Sequence, residues 1–103
     1  MDGERVLRVQ GRYDDEQKKA LIVEIFKFTD GSYRVLVPNH TYEKPDGTVD
    51  DEDLWLEEIY SDLDKAKMDG SVTAKIPNPS EIRWVEFTDQ ISLRAHPLPA
   101  PEA

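Results

Sequence analysis

His40, Tyr42 and Glu43 could together form an acid-base group. In an extended segment their two-residue spacing puts the His40 imidazole and the Tyr42 phenol on one face. With Tyr13 and Trp84 completing a pocket, they would make a small enzyme or a ligand-binding site. A polar loop with no chemistry explains the same residues. A twelve-residue window from Asp46 has the outline of an EF-hand, with Asp46, Asp50 and Glu57 at its first, fifth and twelfth positions. Its geometry fails, because the sixth position needs Gly for a sharp turn and holds Asp51, the third is Thr48, and no helix is expected before it.

Other chemistries lack their residues. Cysteine is absent, which removes thiolate nucleophiles, disulfides and cysteine zinc sites. His40 and His96 are too few to hold a metal by imidazole alone. The five serines have no Gly-x-Ser-x-Gly setting, and the five glycines are scattered rather than gathered in a phosphate loop. The expectation is a chain with no catalytic residues, no metal and no cofactor.

What remains is charge. From Glu43 to Asp69 there are eleven acidic residues and three lysines, a net of −8 in a chain whose total is −9. Residues 1 to 42 balance, seven against seven. A sequence pI near 4.6 opposes nucleic-acid binding, which needs clustered cations to neutralise phosphate. It favours a basic protein partner, although acidity can also serve solubility alone.

The elements that would carry this charge follow from periodicity. Val49 to Gly70 reads as one acidic amphipathic helix, capped by Asp50 or Asp51 and closed by Gly70. Leu56, Ile59, Tyr60, Leu63 and Ala66 recur at spacings of three and four, with Trp55 at the edge of the stripe. Asp50, Asp51, Asp53, Glu57, Glu58, Asp62 and Asp64 would then form the partner-binding surface, with Trp55 as its apolar anchor.

Around that helix, Arg5 to Tyr13 alternates as a half-exposed strand, with Arg8, Gln10 and Arg12 on its outer side. Arg5, Arg8, Arg12, Lys18 and Lys19 could answer the acidic segment within the molecule. Leu21 to Pro38 is a hairpin turning at Asp30-Gly31. A two-residue turn would set Lys27 against Arg34, so a three-residue turn, pairing Ile25 with Val35 and Lys27 with Tyr33, is favoured. Pro38 should end that strand, and Pro45-Asp46-Gly47 should turn a second small hairpin. Strands are expected over Ser71–Ile76, over Glu81–Phe87 with a bulge at Trp84-Val85, and over Ile91–Ala95. A helix capped by Ser80 is the alternative for the second of these.

Together these give an α+β domain over residues 1–95, a curved antiparallel sheet or small partly open β-barrel on one acidic helix, followed by a Pro-rich tail over 96–103. An acidic opening with no apolar run behind it, and no stretch long enough to span a membrane, point to the cytoplasm. The function expected is a non-enzymatic interaction module, an inhibitor or antagonist that docks a basic nucleic-acid-binding surface by imitating phosphate. The alternatives are the His40/Tyr42 pocket and an assembly subunit that binds through a sheet edge or apolar patch. Neither a membrane nor nucleic acid is expected as a direct partner.

Overall fold

The computed structural model describes residues 4–16 and 20–94, with Tyr42 described in its backbone alone. Lys18, Lys19, His96 and the expected tail therefore lie outside the described residues. Five strands, β1 (Arg5–Asp14), β2 (Ala20–Phe28), β3 (Tyr33–Glu43), β4 (Val49–Trp55) and β5 (Arg83–Phe87), form one sheet in the order β4-β3-β2-β1-β5. Every neighbouring pair is antiparallel, and β4 and β5 are edges, so the sheet is open rather than a barrel. Two short helices, α1 (Leu63–Thr73) and α2 (Gln90–Leu93), complete an α+β arrangement.

The β2–β3 hairpin has the three-residue turn. Ile25 pairs with Val35 and Lys27 with Tyr33, while Phe28 N donates to Ser32 O at 2.9 Å. Gly31 sits at φ +86°, the left-handed conformation that closes such a turn. Alternation along β2 then builds two cores, one on each side of the sheet. Val23 and Ile25 join Val9, Val35, Tyr60, Ala66, Ile76 and Ile82 beneath α1. Phe26 and Phe28 face the other way, with Leu36 and the half-buried Trp55.

The helix expected over Val49–Gly70 is not formed as one element. Residues 49–55 are the edge strand β4, residues 56–62 are irregular, and the helix begins only at Leu63. The cause lies just upstream. Gly47 at φ +87°, with Lys44 N bonded to Thr48 O at 2.8 Å, turns the chain back so that β4 runs alongside β3. Extension also separates the consecutive acids Asp50 to Asp53 onto alternate sides, whereas a helix would crowd them into one turn of a poor helix former. The helix cap is Asp62, whose side chain accepts from Asp64 N.

Gly70 does not end α1 but lies buried within it, because a Cβ there would come 2.5 Å from Val23 Cγ1. Its absence lets the helix settle onto β2. Ser71–Thr73 continue the helix where a strand was expected, and Lys75 at φ 59° makes the exit turn that returns Ile76 to the core. Pro38 does not end β3. It takes part in a bulge, with Asn39 at φ 55° and a register shift between Val37 and His40, beyond which pairing with β4 resumes.

After α1 has crossed the sheet, Pro79 opens a 3-10 turn and β5 pairs with β1. The β1–β5 register is unbroken, so no bulge interrupts Trp84-Val85. Ile82 is buried in the first core and Trp84 packs against it, whereas Val85 is exposed. The strand expected from Ile91 is instead the start of α2, nucleated by Asp89, which accepts from Ser92 N at 2.9 Å.

Candidate functional site

β4 carries the first group of acids. Asp50, Asp51, Glu52 and Asp53 are all exposed on this edge strand. The pairing of Leu36 with Trp55 and of Val37 with Leu54 fixes their faces. Asp51 and Asp53 share the side of Trp55, while Asp50 and Glu52 share that of Leu54. Asp50 is paired with Lys44 at 2.9 Å, and that contact together with the Asp51 amide holds its carboxyl below the usual carboxylate range. Asp51 accepts from Thr41 Oγ1 at 2.7 Å, and Asp53 accepts from the Asn39 amide at 3.2 Å across the bulge. These contacts anchor the carboxylates to β3 while leaving them exposed to solvent.

The second group lies beyond the strand. Glu57 and Glu58 are exposed in the irregular segment, with Glu58 paired to Lys65 at 3.3 Å. Asp62 caps α1 and Asp64 stands in its first turn, where negative charge meets the positive end of the helix dipole. These two acids therefore have a structural duty that their sequence alone does not separate from recognition. Glu52 was missed as a site residue although it completes the run on β4.

Trp55 is packed rather than free. Its ring lies 5.6 Å from that of Phe26, and the Arg5 and Arg34 guanidinium groups stand 5.7 Å and 6.0 Å from its centroid. Burial lowers the Arg5 pKa, against the opposing pull of the Glu24 charge. On the same side of the sheet Glu24, at 1% exposure, accepts from Arg8 Nε at 2.7 Å and also from Arg8 Nη2. Arg8 is itself buried, with its guanidinium 4.8 Å from the Phe87 centroid. The outer side of β1 is thus not a free basic face: Arg8 is committed to Glu24, and Arg12 to Asp14 at 3.2 Å. A lone Glu in the middle of Leu-Ile-Val-Glu-Ile-Phe is the signal that could have revealed this pair from the sequence.

His40 does line a cleft, of about 260 Å³, but not with the partners expected. Tyr13 and Trp84 pack against the first core, and the Tyr42 side chain is outside the described residues. The cleft instead lies between the first residues of β2, the bulge of β3 and the end of α1, with Ile22, Pro38, Thr73 and Lys75 among its walls. Among the described residues no cluster of His, Cys, Asp or Glu could hold a metal ion, and no helix is long and apolar enough to cross a membrane.

Comparison with protein families, with characterised proteins and with solved structures gives no match.

Proposed function

We propose that the chain is a non-enzymatic interaction module whose acidic edge strand docks a basic, nucleic-acid-binding surface of a partner protein. The observation that carries this reading is the unbroken run Asp50-Asp51-Glu52-Asp53 on the sheet edge. An antiparallel strand advances about 3.4 Å per residue. Asp51 and Asp53 on one side, and Asp50 and Glu52 on the other, therefore stand about 7 Å apart along the edge, a line of negative charge that a phosphate-binding basic surface can engage. Glu57 and Glu58 continue the acidity past the strand end, with Asp62 and Asp64 at the start of α1. Trp55, stacked beneath the arginines, holds the strand end in place and is a positioning residue rather than an anchor.

The reading is tested by capture of partners from lysate at low and high salt, using the whole chain and a variant carrying Asp51→Asn, Asp53→Asn, Glu57→Gln and Glu58→Gln. These four positions leave the helix cap intact. A partner held at low salt, lost at high salt, lost with the variant and displaced by duplex DNA supports phosphate imitation. Capture that survives both salt and neutralisation overturns it.

A further inference from the structure

The ladder between β2 and β3 stops early. Its last pair is Glu24↔Leu36, although β2 runs back to Ala20 and β3 forward to Glu43. The residues that should continue the ladder instead form the walls of the cleft: Ile22 on one side, and Pro38, His40 and Thr41 on the other.

Parity fixes which backbone groups face this space. Phe28 N donates to Ser32 O, so the even residues of β2 turn their N–H and C=O toward β3, and Ile22 is among them. Its ladder partner would be Pro38, which has no N–H to give. On the opposite wall Lys44 N donates to Thr48 O, and His40 pairs with Glu52, so the even residues beyond the bulge face β4. Thr41 therefore turns its own N–H and C=O toward the cleft. Two strands thus aim peptide groups into one space, and the Ile22 C=O has no Pro38 donor to meet it.

The rest of the lining has its own chemistry. Leu21, Val37, Pro38 and Ala74 supply apolar wall, and among the described residues no Asp or Glu lines the cleft, in a chain of net charge −9. Its charged side chain is Lys75, exposed and with neither hydrogen bond nor ion pair among the described residues. Lys75 also follows the C-terminus of α1, where a cation offsets the negative end of the helix dipole. Asn39 and Lys75, the non-glycine residues at positive φ among those described, both line the cleft. Backbone conformations of this kind cost free energy and gather at functional sites.

We propose that this cleft binds an N-acylated apolar amino acid, either free or as the C-terminal residue of a peptide. The ligand's amide N–H donates to the Ile22 C=O, which Pro38 cannot serve, and its amide C=O accepts from the Thr41 N–H, in the manner of an added strand. Its apolar side chain lies against Leu21, Val37 and Pro38, and its carboxylate meets the Lys75 ammonium. A volume of about 260 Å³ sits at the small end of ligand pockets, which suits one residue rather than a long segment.

The test uses the whole chain, titrated with N-acetyl-leucine and followed by amide chemical shifts. The Ile22 and Thr41 amides are expected to shift, while those of β5 stay fixed. N-acetyl-leucine methyl ester, which lacks the charge, and 4-methylpentanoate, which lacks the amide, should each bind at least about tenfold more weakly. Lys75→Met should reproduce the loss and Lys75→Arg should restore binding; both change an exposed side chain, and unchanged shifts elsewhere confirm the fold. A tetrapeptide ending in leucine that binds more tightly assigns the site to peptide termini, and equal binding assigns it to the free N-acyl amino acid. Absence of binding, equal binding of the ester, or shifts centred away from the cleft overturns the proposal.

Discussion

Gly11 lies opposite Trp84 across the β1–β5 ladder, and a Cβ on Gly11 would come within 2.6 Å of Trp84 Cζ3. The indole occupies the space that a side chain would fill, so β5 is locked to β1 by a ring seated on bare backbone. Gly11→Ala must displace the indole, and overpacking of this kind costs about 1–3 kcal/mol. Chemical denaturation should show that loss, and tryptophan emission should report movement of the ring. Trp84→Leu in the same chain should recover part of it. A Gly11→Ala protein as stable as the parent would show that β5 is not seated in this way.

Arg8 and Glu24 form a buried charge pair on the sheet face that also carries Phe26, Phe28 and Leu36. Arg8→Ala leaves the Glu24 carboxylate without its main counter-charge, and breaking a buried pair on one side costs about 3–5 kcal/mol. Replacing both, as Arg8→Met with Glu24→Leu, removes the uncompensated charge along with the pair. The double variant should therefore be more stable than Arg8→Ala. A double-mutant cycle measured by denaturation checks this, and a double variant less stable than either single one would contradict it.

Open sheet edges invite pairing with other chains, and charge is one of the ways in which proteins blunt them. Recognition and edge protection are therefore separable roles for Asp50 to Asp53. If protection dominates, a chain with Asp50→Asn, Asp51→Asn, Glu52→Gln and Asp53→Asn should associate with itself through β4. Sedimentation at rising concentration would reveal it. If the variant associates no more than the parent while losing salt-sensitive capture, recognition is the main duty of the run.

Local signals in the sequence predicted local structure well. Asp30-Gly31 and the repulsion between Lys27 and Arg34 were enough to choose the hairpin register that Ile25↔Val35 confirms. The Pro45-Asp46-Gly47 turn was equally readable. Failure came where tertiary pairing overrode periodicity. Leu56, Ile59, Tyr60 and Leu63 have helical spacing, yet Ile59 is exposed and Tyr60 bridges to Tyr33 from an irregular segment. The turn at Gly47 had already committed residues 49–55 to β3, which helical periodicity further along could not register. Gly70 misled for a related reason: its value lies in a contact with Val23 from a distant strand. Of the residues expected around a pocket, His40 lines the cleft and Tyr13 and Trp84 pack elsewhere, because the cleft depends on where the β2–β3 ladder stops, which is a property of register rather than of composition.

Tyr60 is 4% exposed, and its phenol donates to Asp69 Oδ2 at 2.8 Å. Burial first, then the Asp69 hydrogen bond and charge, with Glu58 adding to them, raise its pKa well above the ordinary tyrosine value. The sign of the consequence is fixed by linkage. The folded chain keeps a proton that the unfolded chain gives up above about pH 10. This contribution to stability is therefore fully present below about pH 10 and is lost as pH rises beyond it. Tyr60→Phe deletes a hydrogen bond to a charged acceptor and should cost about 1.5–3 kcal/mol at neutral pH. It should also flatten the alkaline decline, because phenylalanine has no proton to lose. Denaturation profiles of both proteins, followed from neutral pH into the alkaline range, supply the comparison. Parallel curves would mean that Tyr60 ionises as freely in the folded chain as in the unfolded one.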